Sequence, residues 1–470
     1  MQRVLAGAGV VGSHLVDRLL GEGNEVVALD DLSRRFVYVG GFAMLPFLPV
    51  PMDVAQQAYV QARVEERVRT GNDVTAEETE LNPLLRYDFI WKSGQNHLVA
   101  IYQPRLVFTH TFNRPTVDPR VVNPATLNLT DSNDNPLSLL HNGGVGFEAV
   151  RARYRVSLYQ FGAYGPITTT SILVQAPWTG DGPPPDPNPI IPSTIAARFT
   201  LLFLQTQFFA PLKLSRRASL TPGFVYNAFG GADSASRGVI ALTSGPGASL
   251  ALDVAATQND RFTTTIGGGR ISTAFEGDRT GAVIYRAEAT QGWRHWWSRS
   301  LSSEVVGGGS VGGDNISGFS LYSLASVGLL YDSYPFFRLD PGAAPQGGPP
   351  GRGNRVQIGI VAKTTPWIDL FSGELEQRAV GVGAVNYTIG RTTLRGQLSG
   401  ARVFNTPRSV AQYSILQGET GVRQQLGTTV SIDAGLRYGS QDFKNAIRFN
   451  QLTQATVYAG LTWAPLPAKF

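Results

Sequence analysis

Near the N-terminus, Val4-Leu5-Ala6-Gly7-Ala8-Gly9-Val10-Val11-Gly12 sets Gly7, Gly9 and Gly12 in a G-x-G-x-x-G spacing between a short apolar strand and a helix start. Glycines so placed let backbone approach a pyrophosphate at a helix N-terminus, and Asp30, about eighteen residues on, suits a ribose hydroxyl. A second pattern, Gly308-Gly309-Ser310-Val311-Gly312, satisfies G-x-S-x-G. It would expose a nucleophile only on a strand-to-helix turn, whereas these residues lie at a glycine-rich strand end. The histidines, His14, His97, His110, His141 and His295, lack ligand spacing, and His295 among Trp293, Trp296 and Trp297 reads as an interfacial aromatic-belt residue. Arginines on the polar faces of alternating segments could make a cationic wall: Arg86, Arg105, Arg151, Arg153, Arg395, Arg423 and Arg437. Such a wall favours anions, or its arginines pair with Asp88, Asp253, Glu419 and Asp433 to fill and stiffen an interior.

The elements that would position these groups differ along the chain. Through Asp31-Leu32-Ser33-Arg34 the opening resembles the NAD-dependent epimerase/dehydratases, the extended short-chain dehydrogenases, which implies a dinucleotide held by Gly7, Gly9, Gly12 and Asp30. The resemblance covers about 34 residues. Ala6 stands at the family's first glycine, no tyrosine has a lysine four residues later, and no alternation of strands and helices follows Arg35. Residues 1–34 are therefore expected to be a Rossmann-like fragment that binds no NAD. Ser33-Arg34-Arg35 then leads into the apolar stretch Phe36 to Val50 and an Ala55-Gln56-Gln57 junction, so residues 35–55 resemble a secretory signal peptide set inside the chain.

From Leu84 onward the side chains alternate with period two. The final pair of strands is the clearest: Val430, Ile432, Ala434, Leu436 and Tyr438 oppose Ser431, Asp433, Gly435 and Arg437, and Ala455, Val457, Ala459, Leu461 and Trp463 oppose Thr456, Tyr458 and Thr462. One greasy face and one wet face, recurring in some seventeen segments with aromatic ends, is the pattern of a membrane barrel, whose bacterial single-chain forms take even strand numbers. The fold expected is an all-β, closed antiparallel transmembrane barrel of 16 or 18 strands over 81–470, with 56–80 as a lead-in. It resembles bacterial outer-membrane β-barrel proteins.

Composition agrees. The 470 residues are 42% hydrophobic yet only 16% charged, with 53 glycines and no cysteine. No apolar run is long enough for a spanning helix. A net charge of +5 without basic runs excludes a nucleic-acid surface. The resemblance implies export to the bacterial outer membrane, with the lipid bilayer and the barrel-assembly machinery as partners and no cofactor. Function is expected to be a passive pore or structural envelope protein. A barrel-embedded hydrolase and an NAD-dependent epimerase-like enzyme are the alternatives.

Overall fold

The computed structural model describes residues 3–7, 25–29, 56–71, 74–91, 96–112, 137–168, 198–238, 240–275, 281–298, 300–314, 318–333, 354–368, 375–404, 413–443, 451–465 and 468–469. Gly9, Gly12, Asp30 and the 35–55 segment fall outside them. Strands β1 (Arg3–Gly7) and β2 (Glu25–Leu29) form a two-stranded parallel sheet of their own.

All other strands share one sheet. It runs through β3 (Gln56–Gly71), β4 (Val74–Trp91), β5 (Asn96–Tyr102), β6 (Arg105–Thr111), β7 (Leu137–Val150), β8 (Arg155–Thr168), β9 (Arg198–Phe209) and β10 (Leu212–Lys213). It continues through β11 (Ala218–Gly231), β12 (Leu242–Ala255), β13 (Asp260–Ala274), β14 (Val283–Trp296), β15 (Leu301–Asp314), β16 (Gly318–Asp332) and β17 (Arg355–Ile368). Completing it are β18 (Leu375–Ile389), β19 (Thr392–Phe404), β20 (Tyr413–Gln425), β21 (Val430–Phe443), β22 (Gln451–Trp463) and β23 (Ala468–Lys469). Neighbours pair antiparallel, β22 pairs with β3, and the sheet closes on itself.

The 21 segments of this sheet make 18 staves, because three staves are each broken in two beside a proline. Proline has no N–H to give the ladder, so pairing lapses where it falls. Pro104 separates β5 from β6, Pro211 separates β9 from β10, and Pro465 follows β22 before β23 resumes on β3. The register is unbroken across Pro104, with Tyr102 and Leu106 opposite Leu85 and Leu81. A one-residue offset accompanies the step from β22 to β23, where Trp463 pairs with Ala62 and Ala468 with Ala58.

The pleat sorts side chains to the two faces as the sequence pattern predicts. Leu85, Tyr87, Leu98, Phe108, Ile266, Leu321, Leu398, Leu436 and Val457 are exposed on the outside, while Glu78, Arg86, Asp88, Thr109, Asp433 and Tyr458 are buried on the inside. His295 lies outward on β14, with its ring edge-on to Trp297 at 4.5 Å and its Nδ1 2.8 Å from Asp260 Oδ1.

Two expectations need correction. Residues 56–80 are not a lead-in: β3 and the first part of β4 are full staves. On β3 the outer face is apolar, with Val60, Val64 and Val68 exposed opposite the inward Arg63, Glu65 and Arg67; it is interrupted by Glu66, which bonds Thr79 of β4, where Glu77 and Thr79 make the outside polar too. The second is general to such barrels, short turns at one end and long loops at the other: the stretches 113–136 and 169–197 leave from the end opposite the start of β3, but the 334–353 stretch, shorter than either yet still long, joins β16 to β17 at the same end as the Gly390-Arg391 turn.

Candidate functional site

The largest linked set of charged groups on the inner wall lies on one arc, formed by β19 to β22 continuing across the closure into β3 to β6; smaller pairs, among them Glu148 with Arg155, Arg286 with Glu288 and Arg294 with Glu304, stand elsewhere in the ring. Alternation along β3 points Arg63, Glu65 and Arg67 inward on successive pleats. Arg67 is 1% exposed and lies among three carboxylates: its Nη2 donates to Glu80 Oε2 at 2.6 Å, and its Nε is 3.4 Å from Glu78 and 3.6 Å from Glu65. Arg105, one stave further on, grips both oxygens of the same Glu80, at 2.9 and 2.8 Å. Arg86 makes the same forked contact with Asp88, two bonds of 2.8 Å, and His97 Nε2 sits 2.8 Å from that carboxylate. Forked pairing of this kind fixes orientation as well as charge.

Across the closure, Tyr458 on β22 is the hub. Its ring lies over two glycines: a Cβ on Gly435 would stand 2.5 Å from the phenol oxygen, and one on Gly421 would stand 2.7 Å away. Glycine is required at both positions because the ring occupies the space of their side chains. Flattened against the wall, the hydroxyl donates to Glu419 Oε1 at 3.0 Å and accepts from Arg395 Nη2 at 2.8 Å. Arg437 stacks 4.3 Å over the ring and approaches Glu419 Oε2 at 3.3 Å. Arg63 donates to Asp433 at 2.9 Å, joining β3 to β21 across β22. Arg423 donates to Ser431 Oγ at 3.0 Å.

Five of the seven arginines expected inside, Arg86, Arg105, Arg395, Arg423 and Arg437, therefore stand on this arc. Arg151 and Arg153 do not. The strand ends at Val150, and both lie in the turn to β8, where Arg151 donates to Asn96 Oδ1 at 3.1 Å and Arg153 is exposed. Strand periodicity cannot place a residue once the strand has ended. Asp88, Glu419 and Asp433 partner these arginines as expected, whereas Asp253 on β12 accepts from Thr263 at 2.6 Å and lies 3.6 Å from Arg261. Arg63 and Arg67 escaped the sequence reading because it began the barrel after them.

The inner face of β12 to β16 is built otherwise. Gly267, Gly269, Gly292, Gly308 and Gly312 point their missing side chains inward, with serines and threonines between them. Ser310 of the G-x-S-x-G pattern is in the middle of β15, paired with Glu288 and Tyr322, and its Oγ accepts from Arg286 Nε at 3.2 Å. The strand runs on through it, without the sharp turn that a nucleophile elbow requires. Among the described residues no group of three or more His, Cys, Asp or Glu could hold a metal ion.

No family model matches the chain, and no curated protein matches it significantly. Solved structures to which it is similar include OpdL of Pseudomonas aeruginosa, at 10% identity and a TM-score of 0.43 over 87% of this chain and 99% of that one. A BenF-like porin from Pseudomonas fluorescens Pf-5 gives 12% identity and a TM-score of 0.44 over 87% and 99%. OccAB2 of Acinetobacter baumannii gives 9% and 0.44 over 87% and 98%.

Proposed function

We propose that this chain is a bacterial outer-membrane barrel through which polar solutes pass passively. The observation that carries the reading is the pairing of a closed ring of 18 staves with an apolar outside and a charged inside. In lipid every backbone polar group needs an internal partner, which a closed sheet supplies, and barrels of 16–18 strands leave a water-filled channel that wall side chains do not fill. The end carrying the start of β3 and the end of β22 faces the periplasm, since the 113–136 and 169–197 connections leave from the other end. The final amphipathic strands suit handling by the barrel-assembly machinery.

Selectivity follows from the balance of the charged arc. Arg63, Arg67, Arg86, Arg105, Arg395 and Arg437 each sit within 4.0 Å of a carboxylate, so they stiffen the wall more than they present free charge. The channel has a weak anion preference. Residues 1–34 take no part in transport, and the two strands of their parallel sheet are too few to form the switch point at which a dinucleotide lies. Reconstitution of the full chain into planar bilayers tests the main claim. Stepwise conductance with a small anion-biased reversal potential is expected; insertion without conductance would leave only the structural envelope role.

A further inference from the structure

Among the described residues, one stave leaves the ring part-way along its length. β16 pairs with β17 only from Ala325–Thr364 down to Asp332–Gln357, although β15 pairs with β16 along its whole length and β17 with β18 up to Ile368–Leu375. Above Thr364 the β17–β18 hairpin has turned inward and lies behind its neighbours. Leu375 and Ile368 pack with Tyr322 and Ile284, inward residues of β16 and β14, and the Tyr322 hydroxyl donates to the Leu375 carbonyl at 3.2 Å. A Cβ on Gly312 of β15 would stand 2.5 Å from Leu375 Cδ2. Leu375, Glu376, Gln377 and Arg378 are all buried in succession, the mark of a strand covered on both faces. On the outside the same inward bend leaves a trough of about 590 Å³ bordered by Ala325, Ala362, Ala379 and Gly381.

The departure begins at a proline. In the register of β16 and β17, Pro366 falls opposite Ser323 and has no N–H to offer it. Gln377, opposite Pro366 on β18, reaches across: its Oε1 accepts from Ser323 N and its Nε2 donates to Ser323 O, both at 3.0 Å. The carboxamide thus replaces one rung of the backbone ladder where water cannot substitute. Ser323 and Thr364 hydroxyls, 3.3 Å apart, meet at the fork itself.

We propose that Gln377 is the positioning residue that holds the β17–β18 tip inside the lumen and thereby sets the aperture of the channel. Its amide is matched to the gap, since its C=O and one N–H of its NH2 point the same way and so meet the N–H and C=O of Ser323 together. Arg378 of the held segment, itself buried, stacks on Trp367 at 4.8 Å, so the segment is packed in place on that side as well.

The inference rests on the pore reading, and the test separates the two. The natural chain has no cysteine, so Gly312→Cys with Leu375→Cys gives a single designed pair. Oxidation of the folded, heat-modifiable barrel is expected to close that disulfide, whether or not the barrel conducts. In bilayers the wild type should show one stable level, and Gln377→Ala should lose it, flickering to a wider one; adding the oxidised pair should restore the single level. Gln377→Asn, one methylene too short to cross Pro366, should behave as Gln377→Ala does. A silent wild type would remove the pore reading while the crosslink still reports the tip. No crosslink in the folded barrel, or a conducting Gln377→Ala and Gln377→Asn with the wild-type level unchanged, would overturn the role of Gln377.

Discussion

The inner wall is two materials. From β19 through β6 it is padded by long charged side chains laid flat and locked into one network; from β12 to β16 glycines, serines and threonines alternate with isolated pairs such as Arg286 with Glu288 and Arg294 with Glu304, and stretches of the wall are thin. The difference teaches where a barrel of this width gets its rigidity. On the padded arc, side chains cross-link the staves, as Arg63 does for β3 and β21 and Arg105 for β4 and β6. On the thinner arc the wall leaves room for another piece of chain, and the β17–β18 tip occupies it against Gly312.

Removing the guanidinium at the centre of the padded arc breaks the comparison most severely. Arg67→Met would leave Glu65, Glu78 and Glu80 facing one another without their shared cation, a change of the kind that destabilises by about 3–5 kcal/mol. The expected outcome is a large fall in the urea midpoint of the heat-modifiable form; an unchanged midpoint would mean that the arc is mere lining. Next is a pair of glycine tests. Gly435→Ala drives a methyl into Tyr458 and the Thr420 carbonyl and should cost about 1–3 kcal/mol by overpacking, while Gly292→Ala, inward on β14 with no atom nearer than 3.5 Å to the added carbon, should be silent in the same melt. Equal effects would refute the distinction.

A smaller effect sharpens the electrical side. Because the padded arginines are paired, Arg105→Gln should move the reversal potential less than Glu304→Gln, which frees the more exposed Arg294 on the thinner arc from its carboxylate; the opposite order would show the native padded arginines to be the selectivity element. The smallest effect lies outside the wall, in the β11–β12 connection. Asp233 caps the short helix α1 (Ser234–Arg237), its Oδ1 accepting from Ser236 N at 2.8 Å. Burial works against the charge, but the bonds from Ser236 and Thr200 and the nearby Arg237 hold its pKa below the ordinary value. A depressed folded pKa means that this contribution is present above the unfolded value near about 4 and fades as pH falls through the lower folded one. Asp233→Ala should therefore weaken local protection of the connection, read by amide exchange, at pH 7 and not at the acid end of that window.

Much of the wall was legible before any coordinates. From Leu137 to Trp463 each expected stave is present, its ends shifted by a few residues, because one apolar face writes period two into the sequence. The first stave and the first part of the second were missed: Glu66, Glu77 and Thr79 interrupt the outer face, so the period carried by Val60, Val64 and Val68 breaks off before it reaches Leu81 and Leu85. With them went Arg63 and Arg67, two of the best-connected arginines. The infolded tip was hidden for the converse reason, since Leu375-Glu376-Gln377-Arg378 is enclosed on both sides and shows no alternation to read. Pairing partners three strands apart, such as Arg395 and Tyr458, leave no periodic trace at all.

The closure of the ring has a kinetic consequence. The last rung to form joins β22 to β3, nearly the whole barrel apart in sequence, and Arg63 with Asp433, 370 positions distant, spans that joint. Contacts of such separation come late, after the entropy of bringing the two ends together has been overcome. Each half of the padded arc can form within its own strands, but the bonds that join the halves, Arg63 to Asp433 among them, cannot form in a half-made sheet, and they become a signature that only a barrel joined in the right register can carry.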